Sequence, residues 1–194
     1  MWKTNNEIID LGLSVNWASI NIGANAISDY GYIYAWGMTT ETPEYSFSKG
    51  LELPVTECKN ISGNKLYDPV ARWIDKDWRM PTKDEMQELL DNCNWTESKQ
   101  NGVDGYNLIS KINGKSLFFP LSGYYFGSSY YSSTSVYSWT SSPGSSNEYA
   151  DNLHIYSGNS SVIVSRRCHG QNVRAVVNKS ELDETSYRRL LWNH

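Results

Sequence analysis

Trp78-Arg79-Met80-Pro81-Thr82-Lys83-Asp84-Glu85-Met86-Gln87-Glu88-Leu89-Leu90-Asp91-Asn92-Cys93 lies just before the middle of the chain. Thr82 and Glu85 have the spacing of a capping box, directly after Pro81. Met86, Leu89, Leu90 and Cys93 then recur at helical spacing, which predicts a helix with one apolar face. Asp84 and Glu85 fall in its first turn, where the helix dipole favours carboxylates. They read as cap residues rather than as an acid/base pair. Upstream, Asp68-Pro69-Val70-Ala71-Arg72-Trp73 predicts one or two helical turns, with Asp68 as N-cap and Pro69 at the first position.

Working outward, residues 8–13 read as a short entry strand ending at glycine, and 15–18 as a second strand. Asn21-Ile22-Gly23-Ala24-Asn25 is turn chemistry. Residues 30–37 alternate aromatic and small residues, which suits an extended segment with Tyr30, Tyr32 and Tyr34 on one side. Residues 38–66 are polar, contain Pro43 and Pro54, and read as a long loop. Beyond residue 100 the pattern is β. Segments 105–110 and 116–120 flank the hairpin dipeptide Asn113-Gly114. Segments 137–141, 150–156, 161–164 and 173–176 are four more strands, with a turn at Ser157-Gly158-Asn159. Residues 1–177 are read as one domain and 178–194 as a tail. In the tail, Ser180 and Asp183 could cap a short helix ending in Leu190, Leu191 and Trp192.

Composition removes several function classes. With 17 basic and 21 acidic residues the net charge is −4, against a nucleic-acid binder, which needs a basic face. Aromatics reach 13%, with 8 Trp and 14 Tyr, so the chain has the material for a core and disorder is not expected. No apolar run approaches the roughly 20 residues that span a bilayer, so no membrane insertion is expected. Cys58, Cys93 and Cys168 lack metal or disulfide spacing, and His154, His169 and His194 are scattered. No cofactor and no metal are expected. Adjacent Cys168 and His169 would point to opposite faces of a strand, so a nucleophile pair there requires a bent backbone.

The sharpest irregularity is the 50-residue block from Leu121 to Gly170. It holds 15 Ser and 7 Tyr but no Lys, Gln or Met. Its charged residues are Glu148, Asp151, Arg166 and Arg167. Tyr, Ser, Gly and Asn make up 30 of its residues, the composition of antibody contact surfaces.

These pieces resemble a family. Residues 10–18, Asn21-Ile22-Gly23-Ala24, Asp29-Tyr30-Gly31, Ala35-Trp36-Gly37, Trp78-Arg79-Met80-Pro81-Thr82 and Glu88-Leu89-Leu90 resemble the Fibrobacter succinogenes major paralogous domain. Asn113-Gly114, Phe119-Pro120 and Gly170-Gln171-Asn172-Val173-Arg174-Ala175-Val176 continue the match, so it covers about residues 8–176. That family is similar to the formylglycine-generating sulfatase-modifying fold, a variant of the C-type lectin fold. The resemblance implies an α+β domain with two helices, a twisted antiparallel sheet and long loops. It also implies that late strands and loops form the ligand face. Departures narrow this. The paired C-terminal cysteines of the sulfatase-modifying enzymes are missing, and so are the calcium signatures of C-type lectins.

Lectin-like domains of this type are targets of diversity-generating retroelements. Their adenine-directed errors turn asparagine codons into codons that exclude Lys, Gln, Met, Glu and Trp. Residues 137–174 fit a variable region of that kind, apart from Glu148. The resemblance implies ligand contact by Ser138, Thr140, Ser145, Asn147, Tyr149, Asp151, Asn152, His154, Tyr156, Asn159, Ser160, Ile163, Ser165, Arg166, Arg167, Cys168 and His169. Tyr124, Tyr125, Tyr130 and Tyr131 would add contacts. Trp139, Ala150, Leu153, Gly170, Val173 and Arg174 would be scaffold. The expected partner is a protein or glycan on a cell surface. The start, Met1-Trp2-Lys3-Thr4, shows no apolar signal core. That favours a phage particle or, if a leader was removed, a bacterial surface. Two other readings stand beside this non-enzymatic binder. One is an enzyme of the sulfatase-modifying superfamily using Cys93 or Cys168. The other is a structural subunit of a surface assembly.

Overall fold

A computed structural model describes residues 7–46, 57–74, 77–131 and 134–179. Among them are two helices and a majority of strands, arranged as several antiparallel sheets. In chain order these are β1 (Ile8–Ile9), β2 (Val15–Asn21), α1 (Pro69–Trp73), α2 (Lys83–Asn92), β3 (Cys93–Gln100), β4 (Val103–Ser110) and β5 (Ser116–Pro120). Then come β6 (Tyr124–Phe126), β7 (Ser129–Tyr131), β8 (Ser135–Pro143), β9 (Tyr149–Tyr156), β10 (Asn159–Arg166) and β11 (Arg174–Asn178). One sheet runs β1-β2-β11, another β3-β4-β5, a third β8-β9-β10 with β9 central, and β6-β7 is a two-stranded ribbon.

Both helix starts are built as their residues dictate. The Thr82 hydroxyl accepts from the Glu85 N–H, and the Glu85 carboxylate accepts from the Thr82 N–H at 2.8 Å. Arg79 holds the same carboxylate at 2.6 Å and donates to Asn178 of β11, which ties the helix start to the sheet. At α1 the buried Asp68 carboxylate accepts backbone N–H bonds from Gly63, Val70, Ala71 and Met80. Trp73, the last residue of α1, lies 52% exposed and donates its indole N–H to the Thr39 carbonyl.

Several boundaries moved for local reasons. Cys93 is buried as expected, but it opens β3 rather than extending α2. The β3 strand itself was not anticipated. Its sequence is mostly polar, and it is held by register with β4 across Asn101-Gly102, both at positive φ. Residues 30–37 form no strand. Tyr34 makes an isolated bridge to Gln171 and is buried, whereas Tyr30 and Tyr32 are 41% and 47% exposed. The expected tail helix with Leu190, Leu191 and Trp192 lies outside the described residues.

The core has two parts. One packs Met86 and Leu89 of α2 against Trp17, Leu108, Phe119, Val136, Leu153 and Ile155. The other gathers Trp36, Val70, Trp78, Trp139, Val173 and Ala175. The sheet β8-β9-β10 therefore shows one face to α2; its other face is buried in the second cluster at Trp139 and Ala150 and is open around Tyr137, His154 and Tyr156.

Candidate functional site: an aromatic strip across two sheets

Register decides which residues share the outward face. Ser135 pairs with Tyr156, Tyr137 with His154 and Trp139 with Asn152. His154 in turn pairs with Ser161, Asn152 with Ile163, and Ala150 with Ser165. Since successive side chains alternate, Tyr137, His154, Tyr156, Asn159, Ser161, Ile163 and Ser165 lie on one face. Val136, Leu153, Ile155 and Val162 lie on the other, in or against the core.

The outward face carries a continuous line of rings. Tyr156 stands parallel to His154 at 6.4 Å, and His154 packs on Tyr137 at 4.5 Å. Tyr137 meets Tyr124 edge-on at 4.9 Å. Tyr124 stacks on Tyr131 at 5.4 Å and on His169 at 5.1 Å, and Phe126 closes the line against His169 at 5.3 Å. The strip thus crosses from the three-stranded sheet to the β6-β7 ribbon. The ribbon is anchored by reciprocal backbone bonds between Tyr125 and Gly170. Tyr131 and Tyr156 are 43% and 51% exposed.

Burial pushes the His154 pKa down from its ordinary value. Burial, with help from the nearby Arg166 guanidinium, pushes His169 down to about 4. Both imidazoles are therefore neutral at pH 7, and the strip offers ring faces, hydroxyls and neutral imidazole nitrogens. Among the described residues no cluster of three or more His, Cys, Asp or Glu side chains is placed to hold a metal ion. Comparison with protein-family models, curated proteins and solved structures matches none of them.

The expected contact residues divide sharply. His154, Tyr156 and His169 are in the strip, and Asn159, Ile163 and Ser165 flank it on the same face. Ser160 alternates to the opposite face with Val162 and Val164. Arg166 is exposed at the end of β10, close enough to His169 to disfavour its proton. Ser145 and Asn147 are exposed, but in the β8-β9 turn at the far end of the hairpin. Asn147 there accepts from the Cys58 thiol. Tyr149 is half-buried, and its carbonyl accepts from Arg167.

The remaining six are interior and cannot present themselves to a ligand. Ser138, Thr140, Asp151, Asn152, Arg167 and Cys168 are each 4% exposed or less. Thr140 donates its hydroxyl to the Asp151 carbonyl and Asp151 pairs with Lys83 at 3.4 Å, so both serve the α2 side of the sheet. Asn152 donates to the Ser165 hydroxyl. The Arg167 guanidinium lies 4.2 Å over the Trp36 ring and donates to the Tyr149 and Glu57 carbonyls. Cys168 and His169 sit in a turn, so the backbone does bend there, but the thiol is buried. All six scaffold assignments, Arg174 included, are buried. Tyr137 and Phe126 belong to the strip and were not singled out. The signal for Tyr137 was its alternation with Val136, an apolar residue bound for the core.

Proposed function

We propose that the chain is a non-enzymatic binding domain whose aromatic strip contacts a protein or glycan on a cell surface. The continuous line of partly exposed rings from Tyr156 to Phe126 carries this reading. Tyr supplies a rigid apolar face with a polar tip, and the flanking Ser and Asn hydroxyls and amides supply adaptable hydrogen bonds. Pairing of the rings along strands limits the entropy lost on binding.

The family resemblance, the two helices and the antiparallel sheets support a C-type lectin scaffold of the sulfatase-modifying variant. The thiol chemistry of that superfamily finds little support, because Cys168 is buried and burial pushes Cys93 up to about 11. A retroelement-diversified surface would use the outward positions His154, Tyr156, Asn159, Ile163, Ser165 and His169. A reverse transcriptase gene and an adenine-differing repeat beside the coding region would support this, and their absence would remove it.

The binding test uses fluorescently labelled protein on gut bacterial cells and on a glycan array. A variant with Tyr137→Ser, His154→Ala and Tyr156→Ser should lose signal on whichever target the wild type stains. Its Tm should stay within about 5 °C, since the rings lie outside both core clusters. Undiminished binding by this variant would refute the strip as the contact surface.

A further inference from the structure

An open pocket of about 450 Å³ lies behind the β6-β7 ribbon, on the side away from the strip. Strand alternation produces it: Tyr124 and Phe126 face the strip, whereas Tyr125 and Tyr130 face the other way. Ile33, Glu41, Thr42, Pro43, Tyr45 and Tyr125 supply most of its wall. The Tyr45 and Tyr125 ring centroids are 5.8 Å apart with planes inclined by 42°, so the two rings pack against each other as one aromatic wall. Tyr130 extends this wall, 5.3 Å from Tyr125.

The wall is preorganised. Tyr45 and Gly127 exchange both backbone hydrogen bonds at 2.9 Å. The Tyr45 hydroxyl donates to the Ile33 carbonyl, and the Ile33 N–H donates to Glu41 Oε1 at 2.9 Å. Any side chain at Gly170 would strike the Tyr45 ring and Ile33, so that glycine lets the ring lie flat here. Glu41 Oε2 is left over, and among the described residues no cation pairs with this carboxylate.

We propose that this pocket binds an alkylammonium group, the chemistry shared by a lysine side chain and a choline headgroup. Ring faces carry negative quadrupole density and attract a cation within about 6 Å of their centroids. The spare carboxylate oxygen accepts a charge-assisted hydrogen bond from a primary ammonium, or compensates the charge of a quaternary one. An anion would meet repulsion from both elements. A neutral apolar group would cover the carboxylate without compensating it.

The test is an NMR titration of the full chain with three probes: Nα-acetyl-lysine methylamide, Nα-acetyl-norleucine methylamide and choline. Saturable shifts at the Tyr45 and Tyr125 rings and at the Ile33 amide are expected with lysine or choline, and not with norleucine. Tighter binding of the lysine probe assigns a protein side chain, and tighter binding of choline assigns a quaternary headgroup. Glu41→Gln retains an oxygen for the Ile33 N–H and removes the charge, so it should weaken binding about five-fold or more. Tyr125→Leu should weaken it further. Equal binding of norleucine, no saturable shift with either cation, or full affinity in Glu41→Gln would overturn the assignment. None of these variants alters a strip residue, so failure here and failure of the strip are separate results.

Discussion

Arg174 is the strongest quantitative test of how this fold is held. It is fully buried at the start of β11, with its guanidinium 4.3 Å over the Phe119 ring. Nε donates to Asn21 Oδ1 at 2.8 Å, Nη1 to the Ala18 and Ser19 carbonyls at 3.2 and 2.8 Å, and Nη2 to the Phe118 carbonyl at 2.9 Å. Those acceptors lie on β2 and β5, so one side chain joins the sheet β1-β2-β11 to the sheet β3-β4-β5. Burial lowers its pKa to about 9, still above neutral, so the charge is kept at pH 7. Among the described residues no carboxylate pairs with it. Amide and carbonyl dipoles compensate it instead.

Arg174→Met keeps apolar volume and removes every donor. Buried acceptors left unpaired cost about 1–3 kcal/mol each, while relief of guanidinium desolvation offsets part of the sum. A net loss of about 3–5 kcal/mol follows from the four orphaned acceptors after that offset. For a chain of this size that is a fall in Tm of about 6–20 °C. Urea unfolding followed by Trp fluorescence reads the loss as a lower midpoint at constant m. Arg174→Lys adds a second signature. A lysine there has its pKa depressed by burial, so the unfolded state binds more protons between the folded and unfolded pKa values. Stability of that variant should therefore rise with pH toward about 10. A methionine variant within about 1 kcal/mol of wild type would refute the reasoning, because desolvation would then outweigh the bonds.

Three further outcomes are expected. Asp68→Ala leaves four N–H donors, three of them buried, without their acceptor and should cost about 3 kcal/mol or more by urea unfolding, with Asp68→Asn intermediate. His169 has a folded pKa of about 4, below the ordinary 6.5, so the unfolded state holds the proton more readily between those values. Stability should fall as pH drops through that window, and His169→Phe should shrink the Tm difference between pH 7.5 and pH 4.5. Of the three free thiols, the exposed Cys58 should react rapidly with a thiol reagent in the native protein, while Cys93 and Cys168 should react after unfolding.

What was legible in the sequence is what short-range chemistry determines. Thr82 and Glu85 close a capping box within three residues, and Asp68 with Pro69 starts α1 within three more. Ser157-Gly158 turns at positive φ and joins β9 to β10 as read. The strand β3 was illegible because Cys93-Asn94-Trp95-Thr96-Glu97-Ser98-Lys99-Gln100 has little alternation. Pairing with β4 stabilises it rather than its own pattern. The ribbon β6-β7 is three residues a side, too short for any period to register. The pocket wall from Glu41 to Tyr45 lay within a segment that reads only as polar loop.

The candidate site shows where such reading stops. Restricted composition marks a segment, but a strand divides any segment between two faces. Consecutive residues such as Leu153, His154, Ile155 and Tyr156 go alternately to core and surface. Choosing among them needs the register, and register comes from partners outside the segment. Arg167 reads as a surface charge until Trp36, more than a hundred residues earlier, is placed beneath it. Asp151 reads as a contact until Lys83 of α2 reaches it. Tyr124, by contrast, belongs to the strip through rings from β7, from β8 and from the turn before β11. A surface assembled this way tolerates new side chains at His154, Tyr156 or Asn159, where only neighbouring tips respond. It does not tolerate them at Asn152 or Arg167, where buried bonds would break. The same alternation that hides half of the segment therefore separates the positions free to change from those that keep the fold.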